Sequence, residues 1–225
     1  MGVKLKGIEE IKGTLKVLES GLRIGGSKDN IGIGETDNPI IRHPITKLPY
    51  VPGSSVKGKL RSLLELRDCP TTQNNGNPCS CGNCKVCDLF GPHDSKKVKS
   101  PTRLLFRDCQ PKPETAKEWE SAGVNSDLKQ EVLIDRKTNT ASGRIGPRTT
   151  ERIPAGGEFD FSLVIRSFEG DNVAGFYQYL AEGFELLGKD YLGGSGSRGY
   201  GHVAFVAEDG TPLADYLRKR TEGSK

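Results

Sequence analysis

Four cysteines lie close together in this sequence: Cys79, Cys81, Cys84 and Cys87. Zinc takes about four soft or borderline ligands at tetrahedral positions, and the Cys-x2-Cys spacings within this run suit a tight knuckle around one ion. Gly82 supplies the turn. Either Cys69 or His93, which flank the cluster, can replace one member, and redox chemistry or free thiols are the alternatives. Because the chain offers more thiols than one site needs, the pattern predicts a closed structural zinc site.

A second candidate is the loop Leu-Gly-Gly-Ser-Gly-Ser-Arg-Gly-Tyr-Gly at residues 192–201. Glycines let the backbone approach a phosphate closely, and successive exposed amides form an anion-binding nest. Arg198 can add a two-pronged phosphate contact. The loop leads from a helix into a strand, unlike the Walker and dinucleotide loops, and a flexible connection is the alternative. The predicted phosphate contacts are Gly193, Gly194, Ser195, Gly196, Ser197, Arg198 and Gly199.

Asp37 is the third candidate, in a glycine-rich loop just before a proline. On the residues alone, an Asx turn that starts a bend is the favoured interpretation. The histidines do not pair in sequence as an acid and a base, and no nucleophile elbow or glycosidase carboxylate pair is recognisable.

Composition and charge limit the possible classes. Of the 225 residues, 34% are hydrophobic and 28% are charged; with glycine counted as apolar, the composition is that of a globular protein, which excludes general disorder. The sequence contains no long apolar run for a membrane span and no apolar signal core near the N-terminus, so the expected location is the cytoplasm. The net charge is only +4, but cations cluster at 57–61, 95–107 and 136–152. This clustering indicates a basic surface facing a phosphate backbone, with solvated faces as the alternative.

The hydrophobic pattern predicts the elements that position these residues. Strands are expected at 8–18, 104–106, 158–166 and around Val203, with a helix after Pro52 capped by Ser54 or Ser55, and a second helix capped by Asp171 or Asn172 and ended by Gly188. The order predicts one α+β domain over 1–225 with the ferredoxin-like βαββαβ arrangement. The cysteines fall in an insertion, residues 68–95. A polar excursion at 110–157 contains one short helix near 114–121, and excursions of this length are usually functional.

Several motifs together resemble one family. They are Gly-Leu-Arg-Ile-Gly-Gly (21–26), Thr-Asp-Asn-Pro-Ile-Ile-Arg (36–42), Leu-Pro-Tyr-Val-Pro-Gly-Ser-Ser-Val-Lys-Gly-Lys-Leu-Arg (48–61), Asp-Leu-Phe-Gly (88–91), Ile-Asp-Arg-Lys-Thr (134–138), Glu-Arg-Ile-Pro-Ala-Gly (151–156) and the glycine-rich loop. In this order the chain resembles the RAMP proteins of CRISPR systems, and among them the Csm-type backbone subunits of type III effector complexes.

The resemblance implies an RRM-like palm, a thumb β-hairpin within 125–152, and copies that stack into a filament along a CRISPR guide RNA beside other type III effector subunits. It also implies endonucleolytic cleavage of complementary single-stranded target RNA at regular intervals, in antiviral defence. Asp37 takes the place of the aspartate that cuts with a divalent metal, Mg²⁺ or Mn²⁺, and the neighbouring ribose 2′-hydroxyl as nucleophile. Whether Asp37 binds the metal or acts as base stays open.

The same matching assigns RNA contacts. They are Arg23, Ser54, Ser55, Lys57, Lys59 and Arg61 on the palm, and Arg136, Arg148 and Arg152 on the thumb. The cysteine insertion is longer than in many relatives, and residues 110–125 match nothing recognisable. The main alternative is a structural RNA-binding subunit in which Asp37 is inert. A guide-processing ribonuclease acting alone is disfavoured, because no acid–base set of histidine and tyrosine is evident.

Overall fold

The structure is a computed structural model that describes residues 3–25, 39–69, 76–142 and 146–222. Its elements in chain order are β1 (Leu5–Val17), α1 (Gly53–Asp68), α2 (Lys85–Phe90), β2 (Leu104–Phe106), α3 (Pro113–Ala122), β3 (Asp127–Glu131), β4 (Arg148–Arg152), β5 (Glu158–Phe168), α4 (Val173–Lys189), β6 (Val203–Ala207) and α5 (Leu213–Glu222). No helix within these ranges is long and apolar enough to cross a membrane.

Four strands form the palm sheet in the order β2-β5-β1-β6, and every neighbouring pair is antiparallel. This order confirms the ferredoxin-like arrangement predicted from the sequence. Alternate residues of β1, including Ile11 and Leu15, are buried in the core. The rings of Phe161, Phe184 and Phe205 pack there with centroids 5.0–5.7 Å apart.

The two palm helices pack closely because α4 carries a glycine where it meets α1. A Cβ atom at Gly183 would lie 2.9 Å from a methyl carbon of Leu60 and 3.1 Å from one of Leu64. Leu60 and Leu64 are fully buried. The position of α1 relative to the sheet is therefore set by packing on α4, and α1 carries several of the predicted site residues.

The helix ends differ in part from the predictions. The predicted serine cap of α1 is wrong: Pro52 is the N-cap residue and no side chain at that position caps the helix. Instead, Gly53 N–H donates to a carboxylate oxygen of Asp108 at 2.8 Å, a partner 55 residues away. Asn172 caps α4 as predicted, but α4 continues through Gly188. The sequence patterns also missed α5.

Strands β3 and β4 form a separate two-stranded antiparallel sheet, which confirms a β-hairpin in the polar excursion. Its register runs from Asp127 opposite Arg152 to Glu131 opposite Arg148. The short helix predicted in the excursion is α3, which begins at Pro113. Its Trp119 is buried and packs on Phe159 of β5, with ring centroids 6.0 Å apart. Helix α3 therefore fixes the start of the hairpin to the palm.

Candidate functional site

The cysteine insertion brings the four predicted ligands together. The Sγ atoms of Cys79, Cys81, Cys84 and Cys87 all lie within 4.8 Å of one another. A zinc–sulfur bond of about 2.3 Å makes the sulfur–sulfur edge of a regular tetrahedron about 3.8 Å. The distances are 3.8 Å for Cys79–Cys84, 3.8 Å for Cys79–Cys87 and 3.9 Å for Cys81–Cys87. The sulfur geometry therefore fits a closed tetrahedral zinc site.

Cys69 and His93, the two possible replacements for one of the four cysteine ligands, lie at different positions relative to the cluster. The Cys69 Sγ lies 3.8 Å from the Cys84 Sγ, beside the cluster. His93 donates its backbone N–H to the Cys79 carbonyl at 3.1 Å, and its side chain is not in the group of four ligands. Cys109, which lies outside the cysteine insertion, is buried and pairs with Val51 through backbone hydrogen bonds.

The thiols of the cluster are in different electrostatic environments. A hydrogen bond from the Asn83 N–H lowers the pKa of Cys81 to about 7. Burial raises the pKa of Cys69 to about 12 and also raises the pKa of Cys84 and Cys87. Thiols in such surroundings give up their protons when a metal ion supplies the compensating charge.

Helix α1 holds the insertion through an ion pair. Arg61 donates to the Glu65 carboxylate at 2.7 Å and to the Cys79 carbonyl at 2.8 Å. The same carboxylate oxygen of Glu65 accepts the Cys79 N–H at 2.9 Å. Both side chains are mostly buried, at 15% and 10% exposure. Arg61, predicted to contact RNA, therefore anchors Cys79, the first of the four candidate metal ligands, in this structure.

The glycine-rich loop contacts Arg23, and the two residues just before the loop contact Lys59. The Arg23 carbonyl accepts the Gly194 N–H at 2.8 Å. The Lys59 ammonium lies 3.6 Å from the centre of the Tyr191 ring and 2.7 Å from the Asp190 carboxylate. The glycine-rich loop, helix α1 and the segment after β1 therefore meet around Arg23 and Tyr191.

Close packing explains why the loop needs its glycines. A Cβ atom at Gly193 would lie 2.2 Å from the Arg23 carbonyl oxygen, and one at Gly196 would lie 2.0 Å from the Tyr191 ring. Gly201 has a φ of +79° and packs equally tightly on Leu192. Gly193 and Gly196, which are predicted phosphate contacts, are thus also required by the fold itself, as is Gly201.

The loop is also joined to the hairpin. Arg198 donates to one Glu131 oxygen at 2.8 Å and to the Ser195 hydroxyl at 2.5 Å, while the Tyr200 hydroxyl donates to the other Glu131 oxygen at 2.9 Å. The Lys129 ammonium lies over the Tyr200 ring, 4.6 Å from its centre. Burial, followed by Glu131, raises the pKa of Tyr200, so its hydroxyl stays a donor.

The predicted thumb cations have unequal environments. Arg152 donates to Asp127 at 2.7 Å and to the Ser20 carbonyl at 3.0 Å, which ties the base of the hairpin to the palm. Arg148 is exposed and lines a cleft of about 480 Å³ with Lys129, Val132 and Arg198. Arg136 is exposed in the distal turn.

Lys57 differs from the other cations of α1. Within the part of the chain that the structure describes, it forms no ion pair with an acid, and burial followed by the Arg61 charge lowers its pKa. Ser54 is exposed beside it and Ser55 is half-buried. Of the three α1 cations predicted to contact RNA, Lys57 therefore has a charge that no acid among the described residues balances.

Asp37, the predicted catalytic residue, lies outside the described residues. The chain on either side of residues 26–38 is held in place, because Gly25 and Ile40 form an antiparallel bridge. Glu151 of β4 accepts the Ile40 N–H at 2.8 Å and Arg42 at 2.5 Å. The hairpin is therefore bonded directly to the segment that follows residues 26–38.

Comparison with known proteins assigns the chain to a protein family. A model of the RAMP superfamily matches residues 9–204. The chain is 45% identical over 201 residues to the CRISPR system Cms endoribonuclease Csm3 of Methanothermobacter thermautotrophicus, covering 83% of this chain and 79% of that protein. It belongs to the Csm3 family of RAMP proteins. The protein of the same name from Methanocaldococcus jannaschii is 42% identical over 206 residues, covering 89% of this chain and 79% of that protein.

A solved structure supports the Csm3 assignment. The chain matches the crystal structure of a Csm3–Csm4 subcomplex in the type III-A CRISPR–Cas interference complex with a TM-score of 0.63 and 27% identity, covering 99% of this chain and 98% of that one. The resemblance to Csm-type backbone subunits inferred from the sequence is thereby confirmed. The assignments of individual RNA contacts stay predictions.

Several residues that hold the candidate site together were not predicted from the sequence. They are Arg42, Glu65, Glu131, Glu151 and Tyr200. Glu65 had a local signal, because it follows Arg61 by four residues on the same helix. Arg42 and Glu151 lie inside motifs that carried the family resemblance, yet their pairing joins residues 109 positions apart.

Proposed function

We propose that this Csm3-family protein is the guide-RNA-binding backbone subunit of a type III CRISPR interference complex and cleaves complementary target RNA there. The observation that carries the proposal is the 45% identity over 201 residues to a protein named as a CRISPR endoribonuclease. Its partners are the guide RNA, single-stranded target RNA, further copies of itself in a filament and other type III effector subunits. The cytoplasmic location stays a prediction.

The proposed RNA surface runs along the line where α1, the glycine-rich loop and the hairpin meet. Three observations support it: Lys57 has no balancing acid among the described residues, Arg148 is exposed beside an open cleft, and Arg198 has an exposed side chain that donates to Glu131 and Ser195. Cations in such positions bind phosphate without reading sequence, which suits a subunit that must accept any guide.

Asp37 is the proposed catalytic residue, from its place in the Thr-Asp-Asn-Pro motif. The 2′-oxygen of the ribose attacks the adjacent phosphorus, the bond from phosphorus to the 5′-oxygen breaks, and the 5′-oxygen takes up a proton. The products are a 2′,3′-cyclic phosphate and a 5′-hydroxyl end. A carboxylate can serve this reaction as a ligand of Mg²⁺ or Mn²⁺ or as the base for the 2′-hydroxyl.

Zinc is the proposed structural metal, held by Cys79, Cys81, Cys84 and Cys87. The sulfur–sulfur distances support it, as they match a zinc–thiolate tetrahedron. Bound zinc would fold the insertion onto α1, where Arg61 and Glu65 already hold it.

The test assembles the complex on a guide RNA with the Asp37→Ala variant and supplies labelled complementary RNA with Mg²⁺. We expect intact assembly and target binding, with cleavage lost. Asp209→Ala is the matched control, since this aspartate caps an exposed turn through the Thr211 N–H at 2.9 Å. Undiminished cleavage by Asp37→Ala, or products that end in a 3′-hydroxyl, would refute the assignment. Lost assembly would show that Asp37 has a structural role.

A further inference from the structure

The metal cluster has a fifth thiol beside it. Cys69 is the C-cap residue of α1, and its Sγ lies 3.8 Å from the Cys84 Sγ. It lies outside the group of four sulfur atoms that are all within 4.8 Å of one another. The Cys69–Cys84 distance nevertheless equals the edge of a zinc–thiolate tetrahedron, about 3.8 Å. Relative to Cys84, Cys69 is therefore placed as a metal ligand would be.

Cys69 and Cys79 are anchored to the same residue. The Glu65 backbone carbonyl accepts the Cys69 N–H at 2.8 Å, and the Glu65 carboxylate accepts the Cys79 N–H at 2.9 Å. Glu65 is itself buried. The place of Cys69 beside the Cys79–Cys84 edge is thus fixed by helix α1, independently of the knuckle around Gly82.

Cys81 is the most exposed member of the group. It is exposed, whereas Cys79 and Cys87 are buried and Cys84 is half-buried. Next to it, Gly82 adopts a φ of +71° against the Lys97 carbonyl. Zinc has no geometric preference from d-electrons, so it accepts either thiolate as its fourth ligand.

We propose that Cys69 is an alternative fourth ligand, so that zinc is bound by Cys79, Cys84 and Cys87 together with either Cys81 or Cys69. This inference rests on the proposed zinc site. When Cys69 binds, the metal would link the C-cap residue of α1 directly to the cysteine knuckle at residues 79–87. Helix α1, which carries Lys57, and the cysteine insertion are then held by the same ion.

The test measures zinc content and affinity of the full-length protein purified under reducing conditions. The variants are Cys69→Ser, Cys81→Ser, Cys84→Ser and the double variant Cys69→Ser/Cys81→Ser, with Cys109→Ala as a control for loss of a thiol outside the cluster. We expect one zinc per chain in wild type, Cys69→Ser and Cys81→Ser. In Cys84→Ser and in the double variant, affinity measured by chelator competition should fall about 100-fold or more.

Cobalt substitution gives a readout that does not depend on stability. The intensity of the sulfur-to-cobalt charge-transfer band reports the number of bound thiolates, and Cys81→Ser should keep the wild-type intensity. A band reduced by one thiolate in Cys81→Ser, or an affinity as low as that of the double variant, would overturn the proposal. Wild-type protein without zinc would instead refute the zinc site itself, which separates the two failures. If the double variant does not fold, the Cys81→Ser spectrum decides alone.

Discussion

Replacing Glu151 by glutamine tests how the hairpin holds the segment after residues 26–38. Glu151 accepts the Ile40 N–H at 2.8 Å and Arg42 at 2.5 Å, and the two paired side chains are 10% and 26% exposed. Removing one partner of a buried ion pair costs about 3–5 kcal/mol. Glutamine keeps an oxygen for the Ile40 N–H, and Arg42 is partly solvated. We therefore expect Glu151→Gln to lower the free energy of unfolding by about 2–3 kcal/mol.

The measurement is urea unfolding of the zinc-loaded chain at pH 7, with Glu118→Gln on the exposed face of α3 as control. In a protein of this length the expected loss corresponds to a melting temperature lower by about 5–10 °C, whereas the control should change stability by less than about 0.5 kcal/mol. Combining Glu151→Gln with Arg42→Met should cost less than the sum of the single losses, since the pair is already broken.

The dependence on pH makes this prediction sharper. Burial raises the pKa of Glu151, but hydrogen bonds from Ile40 and Ser126 and the Arg42 charge outweigh it and lower the pKa overall. A carboxyl with a lowered pKa stabilises the fold above its unfolded pKa of about 4.3, and this contribution is lost as the pH falls through the folded value. The difference between wild type and Glu151→Gln should therefore persist at pH 6 and shrink toward pH 3. A difference equal to that of the control, or one that does not change with pH, would refute the reasoning.

Three further predictions concern the metal, the cations and the hairpin. Removing zinc with a chelator should expose the cysteine insertion to limited proteolysis, while hydrogen exchange in β1 and β5 stays slow; unchanged proteolysis would contradict a structural metal. Lys57→Ala should weaken guide RNA binding and reduce the salt slope by about one, whereas Arg61→Ala should lower zinc affinity more than Lys57→Ala does. Tyr200→Phe removes the hydroxyl that binds Glu131 and should cost about 1 kcal/mol in urea unfolding; no loss would show that the bond contributes nothing.

The parts of the site that were predicted well from the sequence are those that depend on local sequence patterns. The cysteine ligands lie within one short segment, and Asn172 caps α4 through the N–H of Gly175, three residues on. Strand alternation was enough for the palm, because β1 and β5 each bury one face. These features depend on neighbours in the chain, which a sequence displays directly.

Long-range partners account for what the sequence did not predict. The first N–H of α1 is satisfied by Asp108, so the adjacent serines are not needed as caps. Lys59 and Arg152, which were predicted as RNA contacts, are each paired with an acid in the structure, Asp190 and Asp127. Nothing in the local sequence marks these acids as partners, since packing of α4 on α1 and pairing of β3 with β4 bring them into reach.

These pairings change how the basic surface is expected to bind phosphate. Releasing Arg61 would break its bond to the Cys79 carbonyl and leave the buried Glu65 without its cation, so we expect Arg61 to stay in place when RNA binds. Arg198 is different: its partner Glu131 also accepts from the Tyr200 hydroxyl, so Arg198 can turn to a phosphate and leave that acid hydrogen-bonded. Binding of phosphate at Arg198 would therefore require an exchange of partners, whereas binding at Lys57 would not, and we expect Lys57 to be the stronger contact per charge.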